Sequence, residues 1–143
     1  MRKQNSFTLI ETLVVLAVIV LVAAVTLPSI NQARTKARDA RRVQDMNTVQ
    51  TAAEQYYSMN SYAYPVIGDY VAGAVWTVGT GQTILENFPA DPKPSPQPSY
   101  TPSSISTSSY CVCAQMENTG SGNSAASCNF SGTKDYYCVK NQQ

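Results

Sequence analysis

The stretch Phe7-Thr8-Leu9-Ile10-Glu11-Thr12, continued by the unbroken apolar run Leu13 to Val25 and closed by Thr26-Leu27-Pro28, governs the reading of the whole chain. Between Phe7 and Leu27 only Thr8, Glu11, Thr12 and Thr26 are polar. A bilayer core takes about 20 residues of helix, so the stretch is long enough to span one. Arg2 and Lys3 precede it, which suits an N-terminus held in the cytoplasm. A basic start, an apolar core and the small residues Ala23 and Ala24 also fit a cleaved secretory signal. Glu11 decides between the two readings. A carboxylate in hydrocarbon costs about 3 kcal/mol on insertion scales, so it is foreign to a signal core and marks a functional residue that expects a partner.

The residues Ser6-Phe7-Thr8-Leu9-Ile10-Glu11, after a short basic leader and before a long apolar helix, resemble the class III signal of type IV pilins and type II secretion pseudopilins. Pro28, near the end of the apolar stretch, extends the likeness. The resemblance implies that prepilin peptidase cuts between Ser6 and Phe7 and methylates the new amino group of Phe7. It also implies an assembly role for Glu11 and a helix kink at Pro28. One residue departs from the family pattern: glycine usually stands before the cut, and here it is Ser6. Glycine best allows a protease to draw extended backbone into a tight site, so slower processing is expected.

Beyond Pro28 the apolar positions Ile30, Ala33, Ala37, Ala40, Val43, Met46, Val49, Ala53 and Tyr56 recur at spacings of three and four, with no Gly or Pro between residues 29 and 60. That is one stripe on an amphipathic helix. The fold expected from the resemblance is α+β and type IV pilin-like: one long N-terminal helix, membrane-spanning then amphipathic, packed on a small antiparallel sheet. Residues 1–6 form the leader, 7–28 the membrane and filament-core helix, 29–60 its amphipathic continuation and 61–143 a small β domain.

The rest of the 143 residues agree with a non-catalytic role. Only 13% are charged, about half the usual share for a soluble protein, and there is no histidine, which excludes Ser-His and Cys-His catalysis. Net charge is +1, so no nucleic acid partner is expected. The cluster Arg34, Lys36, Arg38, Arg41 and Arg42 reads as a solvated helix face just outside the membrane rather than a lipid or nucleic acid patch. These charges on the outer side run against the positive-inside rule. The opposite topology, however, would leave four cysteines in a reducing cytosol.

Asn60-Ser61-Tyr62-Ala63-Tyr64-Pro65 ends the helix with turn-forming and pre-proline residues. Val71 to Val78 reads as a short strand, Ile84 to Phe88 is ambiguous, and Lys93-Pro94-Ser95-Pro96-Gln97-Pro98 reads as a polyproline-like connector. Phe88-Pro89-Ala90-Asp91-Pro92 resembles the turn that leads into the sheet of major pseudopilins. Tyr110-Cys111-Val112 and Tyr137-Cys138-Val139 echo each other as strands, separated by a Gly/Ser/Asn-rich loop. Laid antiparallel, they predict nested disulfides, Cys111–Cys138 and Cys113–Cys128. Zinc is disfavoured because one residue separates Cys111 from Cys113 and no histidine is present.

Calcium, which major pseudopilins often hold in a C-terminal loop, has only Glu117 and Asp135 as nearby carboxylates against the about six to eight oxygens it takes, so no cofactor is expected, with calcium completed by backbone and Asn oxygens as the open alternative. Asn129-Phe130-Ser131 matches a glycosylation sequon at the level of chance. The tyrosines Tyr56, Tyr57, Tyr62, Tyr64 and Tyr70 read as core and cover rather than a conducting surface.

The expected partners are further copies of the chain in a filament, prepilin peptidase, an inner-membrane assembly platform and the lipid bilayer. The expected location is the cytoplasmic membrane, crossed once, and then a periplasmic or extracellular filament. Two alternatives stay open: a secreted, disulfide-stapled binding domain with a cleaved signal peptide, and a minor or DNA-uptake pilin.

Overall fold

The computed structural model describes residues 7–79, 81–93 and 100–143, with residues 25–29 described as helical backbone only. The architecture is a long N-terminal helix with small antiparallel sheets, an α+β fold consistent with a pilin. Helix α1 runs Leu9–Met59. It ends where Ser61 and Tyr62 turn to left-handed φ values of 53° and 59°, a conformation that stops helix propagation. The kink expected at Pro28 falls within residues 25–29, and Pro94 to Pro98 of the expected connector lie outside the described residues.

The chain divides between Thr35 and Lys36 into two compact units. In the first, every described side chain from Phe7 to Ala24 is exposed, Leu9 at 81%. Among the described residues no helix is long and apolar enough to cross a membrane.

In the second unit α1 contributes Met46, Val49 and Ala53, all fully buried, to the core. Strands β3 (Thr101–Ile105), β4 (Tyr110–Gln115) and β5 (Tyr136–Lys140) form an antiparallel sheet in that order. Side chains alternate across a strand, so Tyr110, Val112 and Ala114 of β4 join the helix-side core, while Cys111 and Cys113 form a cysteine cluster with Cys138. A separate hairpin, β1 (Trp76–Thr77) and β2 (Thr83–Leu85), narrows the strand expected over residues 71–78, because Gly73 turns at φ 87° and Val71 and Val75 face water. Trp76 anchors the hairpin, its indole N–H donating to the Asp69 carbonyl at 2.7 Å.

The outer edge of β5 is covered from within the chain. Tyr136 exchanges backbone hydrogen bonds with Ser124, and the Asn123 side chain accepts from the Cys138 N–H at 2.8 Å and donates to its carbonyl at 2.9 Å. Gln50 of α1 donates to the Lys140 carbonyl. Gly122 is required for this fit, since any Cβ there would collide with the Tyr136 carbonyl.

The disulfides are Cys111–Cys128 and Cys113–Cys138, which corrects the nested pairing. The two Tyr-Cys-Val stretches do lie antiparallel, but with Val112 opposite Val139. That register sets Cys113 opposite Cys138, with Cα atoms 4.1 Å apart, and Cys111 opposite Lys140. In an antiparallel pair one copy of a repeated tripeptide is reversed, so the echo does not determine which cysteines face each other. Cys111 therefore bonds to Cys128 in the 3-10 turn Ala126–Cys128.

Candidate functional site

Two arrangements on α1 carry the charged groups of interest. The first is the start of the helix. Thr8 is its N-cap and Glu11 lies in the first turn. The Thr8 N–H and hydroxyl both donate to Glu11 Oε2, at 2.8 and 2.9 Å, and the Glu11 N–H reaches the Thr8 hydroxyl at 3.4 Å. This reciprocal pair is a capping box, which satisfies donors that a helix start leaves open. A carboxylate there also opposes the positive end of the helix dipole. Among the described residues Glu11 thus has hydrogen-bond partners in its own chain, an amide and a hydroxyl rather than a cation. The pattern Thr-x-x-Glu was readable in the sequence. Phe7 sits beside this cap and is 84% exposed, while Ser6 and the rest of the leader lie outside the described residues.

The second arrangement is a set of charges inside the other unit. Arg42 is fully buried and forks onto Asp91, Nε to Oδ2 at 2.7 Å and Nη2 to Oδ1 at 2.8 Å. Its Nη1 donates to Asp39 at 2.8 Å and to Glu117 at 2.9 Å. Arg38 forks onto Glu117 with both contacts at 2.6 Å, and Lys93 lies 3.6 Å from the same carboxylate. Asp39 also accepts the backbone N–H groups of Glu117 and Asn118. Three cations thus meet three carboxylates, joining α1, the Phe88–Pro92 turn and the segment after β4.

The solvated-face reading of residues 34–42 fails for Arg42 and Asp39, which are buried, and for Arg38, which is partly so. Of the apolar stripe, Ala37 and Ala40 face water instead. Hydrogen bonds from Arg38, opposed by burial and reinforced by Arg42, hold the Glu117 carboxyl down to about 2. Hydrogen bonding to Asp91, against the cost of burial, raises Arg42 above its ordinary value. Glu117 is thus engaged by guanidinium groups rather than offered to a calcium ion, and Asp135 accepts the Gly120 N–H.

The sulfurs of Cys111, Cys113 and Cys128 lie within 4.8 Å of one another, yet each is tied in a disulfide and has no thiolate to give a metal. Tyr64 and Tyr70 are buried in the core, while Tyr62 is exposed.

Residues 1–27 match the family model of the prokaryotic N-terminal methylation motif. No curated protein and no solved structure matches the chain. The matched span holds the leader, the capped helix start and the apolar run up to Leu27. The match supports a type IV pilin-like substrate of prepilin peptidase and fits a membrane-anchored precursor. Residues 1–27 therefore carry the prepilin-cleavage motif of type IV pilins and pseudopilins.

Proposed function

We propose that the chain is a structural subunit of a type IV pilus or a type II secretion pseudopilus. Prepilin peptidase cuts between Ser6 and Phe7 on the cytoplasmic side and methylates the Phe7 amine. The precursor waits in the cytoplasmic membrane with residues 7–28 in the bilayer and residues 61–143 outside. The assembly platform then draws subunits into a periplasmic or extracellular filament, packed through their N-terminal helices.

The observation that carries this reading is the coincidence of the methylation motif with a helix whose apolar side chains from Leu9 to Val22 are all exposed in the isolated chain. A continuous apolar surface of that length needs lipid or other helices to cover it. Cleavage adds a cationic amine at Phe7, one helical turn from Glu11. Pairing of that amine with the Glu11 carboxylate of a neighbouring copy offsets the cost of a carboxylate in an apolar bundle and sets the axial register.

Mass spectrometry of the mature protein tests the reading. An N-terminus at methylated Phe7 is expected, whereas one near Val25 identifies a secreted domain with a removed signal. Ser6→Gly should mature faster in a membrane assay with prepilin peptidase. If neither form is cut, the peptidase assignment is lost.

A further inference from the structure

The cysteines on β4 and β5, together with Cys128, are arranged for exchange as well as for cross-linking. Cys111, Cys113 and Cys138 are buried at 5%, 1% and 2% exposure, while Cys128 is half-buried. Cys113 Sγ lies 3.5 Å from Cys128 Sγ although the two are not bonded to each other. Ser127 and Cys128 both hold left-handed φ values, 60° and 62°, which side chains other than glycine rarely adopt.

We propose that Cys128 is a thiol-exchange site through which an external dithiol opens the Cys113–Cys138 bridge. An external thiolate attacks the sulfur of Cys128, the least buried of the four cysteines, and Cys111 leaves as a thiolate. The second thiol of the reagent then releases Cys128 and the reagent departs as its disulfide, so two electrons have passed to the Cys111–Cys128 pair. The freed Cys128 thiolate attacks Cys113, its nearest non-bonded sulfur. The Cys113–Cys128 bond forms, the Cys113–Cys138 bond breaks, and Cys138 leaves as a thiolate that takes a proton from water. This last step is an isomerisation and needs no further reductant.

Its result is specific. Cys113–Cys138 is the covalent tie between β4 and β5, and the exchange replaces it with a tie between β4 and the loop. Reduction at the least buried cysteine thus ends with a free thiol at the buried Cys138.

The test uses the full chain with less than one equivalent of dithiothreitol at mildly alkaline pH, where thiols ionise. After an acid quench, free thiols are labelled with N-ethylmaleimide and located by peptide mass spectrometry. The expected products carry label on Cys111 and Cys138 and contain a Cys113–Cys128 link. Label confined to Cys111 and Cys128, with Cys113–Cys138 intact throughout, overturns the proposal. So does label on Cys113 and Cys138 with Cys111–Cys128 intact, since that shows direct attack on the inner bridge. In Cys111→Ser, which leaves Cys128 free, a mixture of Cys113–Cys128 and Cys113–Cys138 is expected, and a thiol found wholly at Cys128 counts against exchange. The wild-type readout stands whether or not that variant folds.

Discussion

Arg42 and Asp91 meet through two parallel hydrogen bonds, 2.7 and 2.8 Å long, with the arginine side chain fully out of water. Their separation of 49 residues makes the pair a tie between α1 and the Phe88–Pro92 turn. A planar fork on a carboxylate fixes angle as well as distance, so it sets how that turn lies on the helix.

Loss of one partner leaves buried carboxylates without compensation. Arg42→Ala should therefore lower stability by about 3–5 kcal/mol. Arg42→Lys should recover part of this, because an ammonium keeps the charge but loses the fork. Denaturant unfolding of the disulfide-intact protein measures both. A loss near the about 0–1 kcal/mol of a surface pair would mean that the cluster is open to water.

Acid should act through Glu117. Its carboxyl titrates near 2 in the folded chain against an ordinary value of 4.5, so the folded state favours the ionised form. That contribution is complete above the unfolded value and is lost as pH falls from about 4.5 towards 2. Thermal melting across this window should show the decline. Glu117→Gln should be less stable at neutral pH and show a shallower acid limb; an unaltered limb would assign the acid response elsewhere.

Tyr70 offers a stabilising change. Its ring packs against Trp76, Phe88 and Tyr110, and its buried hydroxyl has no hydrogen-bond partner among the described residues. An unsatisfied buried hydroxyl costs about 1–3 kcal/mol, so Tyr70→Phe should gain about 1 kcal/mol rather than lose it. A denaturation midpoint that falls instead would reveal a partner for this oxygen.

The capping box separates two roles of Glu11. Thr8→Ala removes the hydroxyl from the cap at a cost of about 1 kcal/mol to the helix start and leaves the carboxylate in place. Glu11→Leu removes both cap and charge. If the charge serves assembly, Thr8→Ala subunits should enter filaments near normal levels while Glu11→Leu subunits insert in the membrane but fail to assemble. Glu11→Asp should be intermediate. Equal defects in Thr8→Ala and Glu11→Leu would point to the cap, and normal assembly of Glu11→Leu would leave the carboxylate no role there.

The sequence made some of this legible and hid the rest for physical reasons. The end of α1 and the strands around Cys111 and Cys138 were readable, because helix periodicity, pre-proline residues and β-branched runs are local signals. Strand β3 was not, since an edge strand such as Thr101-Pro102-Ser103-Ser104-Ile105 has little apolar alternation. The charged cluster was hidden by the habit of assigning charge to solvent. Yet Asp39 and Arg42 fall in phase with Met46, Val49 and Ala53, at alternating spacings of three and four, and that phase was available. The register of β4 on β5 depended on contacts far apart in sequence, and so the disulfide pairing did too.

The cover that Asn123, Ser124 and Gln50 place over β5 has a consequence for polymers. A bare strand edge is a template on which another chain can add its own strand, the route to amyloid-like stacking. Here the outward carbonyls of Tyr136, Cys138 and Lys140 are already bonded within the chain, and β3 at the opposite rim places Pro102, which has no N–H, opposite Val112. Copies can be crowded side by side at high local concentration with little risk that their sheets fuse. In the filament proposed above, each β domain would then stay a separate bead, and continuity along the axis would fall to the helices.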